Sequence, residues 1–410
     1  MIDLEKSGKI TEAVAYYPVL ITLILSGLSA SISGFLAMLF LIEIGETFNV
    51  TVGMAGQMVT VNAVISIIFS LLTGIFSVRY SHKALLQVGL FSYVAAAVGI
   101  YLAPNFIVMI AFFSLTGIGY ALTTTMVFTL IGELLPVEKK GEATGFTIAG
   151  MSSAFLIGTI VVPYIQGIGG WRSTFIGYLL PVSALTLIFV TILISRKPGI
   201  LKNEANLNFR GGLKTIFSNR SAFFSLLGLF LAMAAWQGTL TYNTSFQREE
   251  FRISIGEASL FILIGATLYT IGSITTGRMV NRFGSKFLSS SSIMISGIAI
   301  MLFSYLPTFL TSSALLCLAC FFVGVMDVAS TSLIMEQVPS YTGVMMSLSR
   351  AVTQFGSSVG SGVGGMLLLF TGYRFMFTSI SILAIASAIA FYLFTIDPLA
   401  RANFRHKPLK

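Results

Sequence analysis

The sequence predicts an all-α membrane protein with twelve transmembrane helices in two six-helix bundles related by pseudo-twofold symmetry, and three observations carry this prediction. The composition is 55% apolar and only 10% charged, whereas about a quarter of a soluble domain is charged. Twelve apolar runs approach the length of about 20 residues that a membrane helix needs. The second half of the chain also repeats the first, residue for residue at many positions.

The repeat is defined by a constant distance along the chain. Three residues of each copy match at an offset of 203 positions: Gly74, Arg79 and Lys83 in the first copy, and Gly277, Arg282 and Lys286 in the second. The same offset links Pro104 to Pro307 and Pro136 to Pro339. Because so many positions share one frame, the chain is predicted to contain two copies of one structural unit.

The twelve apolar runs are numbered here span 1 to span 12. The first six are residues 19–41, 54–76, 85–102, 106–131, 147–165 and 175–194, and the second six are residues 222–240, 260–276, 287–306, 311–335, 345–370 and 375–396. The longest polar stretch separates the two sets. We therefore expect an N-terminal bundle over residues 1–195, a cytoplasmic linker over 196–221 and a C-terminal bundle over 222–410.

The distribution of basic residues predicts the orientation. Nineteen Lys and Arg residues lie on the side that holds the termini and the linker, four lie on the other side, and Arg350 lies within span 11. By the positive-inside rule, both termini are cytoplasmic. The expected location is the plasma membrane, and we expect a monomer.

Several classes of function are disfavoured by what the sequence contains. The basic residues do not form the single patch that nucleic-acid binding needs. Cys317 and Cys320 share one apolar run, which argues against a disulfide framework, and the two histidines, His82 and His406, are both in predicted loops. No nucleotide-binding GxxxxGK[ST] loop occurs. We expect no enzyme activity, no metal and no cofactor.

Several motifs then resemble those of a known family. The segments GIFSVRYSHK (74–83) and GRMVNRFGSK (277–286), the stretch LLPVEKKGEATG after span 4 and the stretch GGWRSTF before span 6 resemble the major facilitator superfamily. This resemblance covers almost the whole chain. It implies two bundles that provide alternating access to a site near the membrane midplane.

In that superfamily, the motif after span 2 reads roughly GxLADRxGRK and helps to lock the cytoplasmic side shut. Here Val78 and Asn281 stand where the aspartate belongs. The residues that remain, namely Gly74, Arg79, Lys83, Gly277, Arg282, Gly284 and Lys286, have two interpretations. Either they form a gate in which the cations meet helix C-terminal carbonyls, or the basic residues only fix the topology.

The resemblance to drug and proton exchangers of the superfamily is partial. Those proteins carry an arginine in span 4 where this chain has Phe113, and a Gly-Pro pair in span 5 where it has Val162 and Pro163. A standard exchanger is therefore disfavoured. Efflux of varied compounds is nevertheless common in the superfamily.

Two ionisable residues interrupt the apolar spans, Asp327 in span 10 and Arg350 in span 11. They flank the loop at Pro339 symmetrically, so both lie roughly 13 Å above the cytoplasmic ends of their helices at a rise of 1.5 Å per residue, and an ion pair is expected. In one interpretation Arg350 attracts an anionic substrate and Asp327, having lost its partner, takes up a proton. In a second the pair is a static tie between helices. In a third Asp327 alone faces a cationic substrate.

Neutral polar and aromatic residues are candidates to complete a binding site. These candidates are Trp236, Gln237, Asn62, Tyr120 and Gln354. Tyr242 and Asn243 belong either to the same site or to the outer membrane interface. Stripes of small residues, Gly356, Gly360 and Gly364 in span 11 and Ser26, Ser29 and Ser33 in span 1, predict close helix packing.

The sequence thus predicts a secondary transporter of a small organic solute that is driven by protons. Efflux of varied amphipathic compounds is the first expectation, and transport of a carboxylate through Arg350 is the alternative. A membrane sensor or scaffold that has lost transport is the rival from another class, because the first gate motif is eroded.

Overall fold

The computed structural model describes residues 2–135, 137–194 and 209–397, and all regular elements in these ranges are helical. The first part of the chain contains α1 (Ile2–Leu39), α2 (Leu41–Phe48), α3 (Val52–Arg79), α4 (His82–Leu102), α5 (Phe106–Leu134), α6 (Val137–Thr174) and α7 (Leu180–Leu193). The second part contains α8 (Phe209–Ser218), α9 (Arg220–Phe251), α10 (Ile255–Phe283), α11 (Ser285–Phe303), α12 (Phe309–Gln337), α13 (Thr342–Thr371) and α14 (Tyr373–Phe394). The predicted all-α class is confirmed.

Within the described residues, ten segments are long and apolar enough to cross a bilayer. One of them, Gly145–Leu193, has 49 residues, which at 1.5 Å per residue exceeds twice the bilayer core of about 30 Å. Gly170, at φ 75° and ψ 178°, interrupts its helical geometry. The 30-residue α13 is not among the ten because its many glycines and serines lower its mean hydropathy. Twelve crossings therefore stay a prediction.

Local sequence signals account for several helix ends. Ser254 and Glu257 form a capping box at the start of α10, in which each side chain bonds the backbone N–H of the other. The Asn105 side chain accepts from the Val108 N–H at the start of α5. Gly284 joins α10 to α11 at φ 84°, a conformation that a residue with a Cβ rarely adopts.

The helices form two compact units. The first comprises Met1–Glu43 and Val64–Leu201, and the second comprises Ile44–Ala63 and Lys202–Lys410. The second unit thus includes the first part of α3, which lies inside the predicted N-terminal bundle. The boundaries 1–195 and 222–410 stay a prediction. Residues 196–208 of the predicted linker lie outside the described residues, and α8 shows that part of the remainder is helical.

The helix contacts inside the two units repeat each other. In the first unit α1 packs on α6 and α7, while α4 packs on α5 and α7. In the second unit α9 packs on α13 and α14, while α11 packs on α12 and α14. The offset of about 200 residues carries each contact of the first unit onto one of the second. The internal repeat is therefore a repeat of packing as well as of sequence.

Small residues bring α9 and α13 together. A Cβ on Gly356 would lie 2.6 Å from the Phe230 carbonyl oxygen, and a Cβ on Gly238 would lie 2.9 Å from the Gly360 carbonyl oxygen. The span 1 serines Ser26, Ser29 and Ser33 are all buried in the first unit. The predicted role of both stripes in close helix packing is confirmed.

A close polar contact joins α4 to α5 in the first unit. His82 Nδ1 lies 2.9 Å from Glu133 Oε1, and the histidine side chain is only 5% exposed. His82, expected in a loop, instead begins α4 and faces the last turn of α5.

Candidate functional site

Asp327 lies in the middle part of α12 and is held by a tyrosine. The Tyr269 hydroxyl of α10 donates a hydrogen bond to Asp327 Oδ2 at 2.6 Å. Asp327 is ten residues from the end of α12, or about 15 Å, and Tyr269 is midway along α10. In the ten apolar segments of the described chain, the carboxylates other than Asp327 lie in a first or last turn. A mid-span carboxylate is costly in a bilayer, so Asp327 is a candidate functional residue.

Close approach of α10 and α12 positions this pair. Cβ atoms on Gly272 and Gly324 would each overlap a carbonyl oxygen of the opposite helix, those of Phe321 and Tyr269. The Ser273 hydroxyl lies 2.9 Å from the Tyr269 carbonyl oxygen and 3.2 Å from that of Gly324. The two backbones are therefore in contact one turn from the tyrosine, which limits the freedom of the Tyr269 side chain.

Arg350 does not form the ion pair with Asp327 that its depth in the sequence predicts. In the described part of the chain, the partner of the Asp327 carboxylate is Tyr269, and the Arg350 side chain is exposed. The physical reason is that the hydroxyl of Tyr269 on α10 already donates a hydrogen bond to the carboxylate, so no cation is needed to satisfy it.

The candidate residues of α13 share a face. Arg350, Gln354 and Ser361 follow one another at intervals of four and seven residues, which places them on one side of a helix. Ser361 hydroxyl and Thr60 hydroxyl of α3 lie 3.1 Å apart. Arg350 and Gln354 therefore lie on the face of α13 that, at Ser361, contacts the first part of α3.

A buried polar contact joins α3, α9 and α13 inside the second unit. The Tyr242 hydroxyl donates to the Ser361 carbonyl oxygen at 3.0 Å, and Gln57 Nε2 donates to the Gly362 carbonyl oxygen at 3.2 Å. Tyr242 is fully buried and Asn243 is 5% exposed. Both side chains are therefore packed inside the second unit rather than on its surface.

The remaining predicted binding residues are distributed over both units. Trp236 and Gln237 of α9 are half-buried, and the Gln237 amide lies 3.5 Å from the Thr241 hydroxyl of its own helix. Asn62 is half-buried in α3 within the second unit, and Tyr120 is half-buried in α5 within the first. The structure brings Asp327 and Tyr269 into contact. The roles of the other residues in binding stay predictions.

The lysine of each repeated motif lies near the C-terminus of a neighbouring helix. Lys83 Nζ donates to the Thr191 carbonyl oxygen at 2.8 Å and to that of Ile194, at the C-terminus of α7. This is the favourable contact of a cation with a helix C-terminus. In the second unit, Lys286 Nζ lies 5.5 Å from the centre of the Tyr392 ring of α14.

An acidic residue that the motif analysis missed lies beside the second motif. Asp397, which follows α14, accepts from the Lys286 backbone N–H at 3.1 Å at the start of α11. It is far from the motif in sequence, so no local pattern could reveal it. Arg79 and Arg282 are exposed. Gly74 lies in α3 and Gly277 lies in α10.

The described residues contain no group of His, Cys, Asp and Glu side chains that could hold a metal ion. Long apolar helices and a packing pattern that recurs in both units define a multi-pass membrane protein. The profile of the Major Facilitator Superfamily matches residues 20–288 and 226–409. The chain belongs to this superfamily.

The individual proteins that the chain resembles have low sequence identity to it. The chain is 21% identical over 324 residues to the uncharacterized MFS-type transporter YceJ of Bacillus subtilis (strain 168), covering 78% of this chain and 82% of that one. Its fold is similar to that of a D-xylose-proton symporter, with a TM-score of 0.76 and 15% identity over 93% of this chain and 98% of the other. It is also similar to a point mutant of the nucleoside transporter NupG, with a TM-score of 0.73 and 16% identity over 91% and 97% of the chains.

Proposed function

We propose that this protein is a proton-coupled secondary transporter of a small organic solute, working by alternating access in the plasma membrane with both termini in the cytoplasm. The observation that carries the proton coupling is the hydrogen bond from Tyr269 to Asp327. A carboxylate in the middle of a spanning helix is costly when charged. One neutral donor lowers that cost, and a proton from the aqueous phase removes it.

The contact between Tyr269 and Asp327 gives the coupling a physical basis. A charged Asp327 accepts the tyrosine hydrogen bond, whereas a protonated Asp327 carries its own donor and can bond another acceptor. Gly272 and Gly324 bring the backbones of α10 and α12 into contact next to Tyr269. Loading of a proton can therefore change the contacts of α10 and α12, and substrate binding near Asp327 can change its proton affinity.

Efflux of varied amphipathic compounds is the first candidate for the substrate class. Trp236 is half-buried on α9, and the rings of Phe230 and Phe355 lie 5.5 Å apart between α9 and α13. Aromatic walls with few polar groups suit apolar and amphipathic solutes. A transporter without proton coupling would exchange the solute but would not accumulate it in a pH gradient, and a sensor that has lost transport would do neither.

The test begins with a thermal-shift screen of the purified protein against amphipathic cations, carboxylates, sugars and nucleosides at two pH values. A stabilising compound is then used as the labelled solute in proteoliposomes. We expect Asp327→Asn to abolish accumulation driven by a pH gradient while exchange of labelled for unlabelled solute persists. Glu250→Gln, which changes an exposed carboxylate paired with Arg374, serves as the control and should retain accumulation. Undiminished accumulation by Asp327→Asn would remove proton coupling from this site.

Transport of an organic anion is the second candidate, and the exposed Arg350 favours it. Because its guanidinium is not paired with Asp327, it is available to a carboxylate of the solute. In that case Arg350→Gln should weaken carboxylate binding by at least about tenfold, as expected for a charged hydrogen-bonded contact, while Arg350→Lys should retain part of it. If Arg350→Gln binds the carboxylate as tightly as the parent protein does, this role is excluded.

A further inference from the structure

A cavity of about 160 Å³ lies among α8, α9 and α13 in the second unit. Its lining includes Phe217 of α8, Phe223, Leu226 and Phe230 of α9, and Leu348 and Val352 of α13. All the lining side chains are apolar. The cavity lies in the first three turns of α9, next to the linker, and is distinct from the site at Asp327.

The helix α8 has the features of a segment that lies in a membrane interface. Ile216 is fully buried and Gly212 lies against Tyr341 and Val344, so this face of α8 is fixed to α13 and the turn before it. Phe217 is 55% exposed and Phe223 is 40% exposed, and their rings lie 6.3 Å apart at the mouth of the cavity. Exposed aromatic side chains at a helix junction of this kind are stable when they are in contact with lipid.

The two segments that line the cavity carry basic residues and no acidic ones. From Phe209 to Gln247 and from Tyr341 to Thr371 the sequence contains no Asp or Glu, whereas it contains Arg210, Lys214, Arg220 and Arg350. Lys214 precedes Phe217 by three residues and is exposed, so both lie on neighbouring parts of α8. Arg220 lies over the Phe224 and Phe394 rings, at 5.8 Å and 5.2 Å from their centres. The Phe224 ring lies 5.5 Å from the Phe223 ring of the cavity lining, so one ring separates the guanidinium from the cavity.

From this arrangement we infer that the cavity is a binding site for one acyl chain of an anionic glycerophospholipid, with the phosphate headgroup at Lys214 and Arg220. An apolar slot accepts a hydrocarbon chain, and exposed cations beside it favour a negative headgroup. The bilayer supplies this ligand on the side where the linker is proposed to lie. A lipid seated here would tie α8 to α9 and α13, so it would stabilise the second unit.

The experiment uses the full-length protein and a phosphatidylglycerol that carries a photoactivatable diazirine in its acyl chain, compared with the matching phosphatidylcholine. After irradiation, labelled peptides are identified by mass spectrometry. The anionic probe is expected to label the peptides containing Phe217 to Phe230 and Leu348 to Val352 more strongly than the neutral probe. Lys214→Gln should lower this preference by about fivefold, the contribution of one basic residue near an anionic lipid.

Two further variants separate the cavity from general lipid contact. Val352→Trp fills the cavity and should abolish labelling of both peptides. Ile160→Trp, at a position of α6 that is 73% exposed, adds the same side chain elsewhere and should leave labelling unchanged. If Val352→Trp does not yield folded protein, the comparison between the two probes and Lys214→Gln still decides. Equal labelling by both probes, or unchanged labelling of Val352→Trp, would overturn the inference.

Discussion

The hydrogen-bond donor to Asp327 is the neutral hydroxyl of Tyr269 rather than a cation. The kind of partner determines how strongly the charged form of the carboxylate is stabilised. A carboxylate locked to an arginine inside a membrane keeps its charge, since separating such a pair leaves a buried charge without compensation. A tyrosine hydroxyl stabilises the charged form less, yet it can also remain bonded to a protonated carboxyl group, because it can donate or accept. A neutral partner of this kind is what the proposed proton coupling requires.

Tyr269 can be tested without touching the carboxylate. Tyr269→Phe removes one hydrogen bond to a charged group, a contribution of about 1.5–3 kcal/mol, and retains the ring. We expect accumulation driven by a pH gradient to fall several-fold while the protein stays folded and exchange of solute continues. Uptake into proteoliposomes at several pH values measures this. Gradient-driven uptake equal to that of the parent would show that Tyr269 has no part in coupling.

Sequence reasoning found Asp327 but not Tyr269, and the reason is physical. A charged residue in an apolar run is conspicuous because of its cost in the bilayer. A tyrosine in such a run is ordinary, and its contact with a residue 58 positions away depends on how two helices rotate against each other. Periodicity identifies helices and their small-residue faces, but it leaves the pairing of single side chains across helices undetermined.

Among the helices, the contacts between α9 and α13 depend on the absence of side chains. Gly356 and Gly360 of α13 lie against backbone atoms of Phe230 and Ala234, which cannot move aside as a flexible side chain would. Such contacts take the place of the hydrophobic effect, which does not drive helices together inside a bilayer. The glycine stripe was readable from the sequence, whereas its partner helix was not.

This packing leads to a prediction with opposite signs at two glycines. Gly356→Ala places a Cβ 2.6 Å from the Phe230 carbonyl oxygen, and such overpacking should cost about 1–3 kcal/mol. Gly34→Ala in α1 meets nothing within 4 Å and should stabilise the helix by about 0.5–1 kcal/mol. Thermal unfolding of the purified variants measures both. A melting temperature for Gly356→Ala at or above that of the parent would contradict the proposed close contact.

Over the whole molecule, the duplication has the widest consequences. It was visible in the sequence as a constant offset and recurs in the structure as the same helix contacts in each unit. The structure also adds features that the repeat does not contain. These are α8, which lies in the predicted linker, and the grouping of Ile44–Ala63 with the second unit. Neither follows from hydropathy, because both depend on contacts between segments distant in the chain.

The proposed orientation makes a prediction about access from the two sides of the membrane. With Cys317 and Cys320 replaced by alanine, Glu250→Cys should react with a membrane-impermeant maleimide on intact cells. Lys214→Cys should react only after the membrane is opened. Both residues are exposed in the structure, so a failure to react reflects the side of the membrane. Reaction of Lys214→Cys on intact cells would reverse the proposed topology.

The central claim is that movement of the solute and movement of a proton through Asp327 are one process. The most direct measurement follows the internal pH of weakly buffered proteoliposomes with a trapped fluorescent indicator after addition of a solute that the protein binds. The account predicts a solute-dependent pH change for the parent protein and for Glu250→Gln. For Asp327→Asn it predicts none, even though that variant still exchanges labelled solute. A pH change for Asp327→Asn as large as that of the parent would contradict the account.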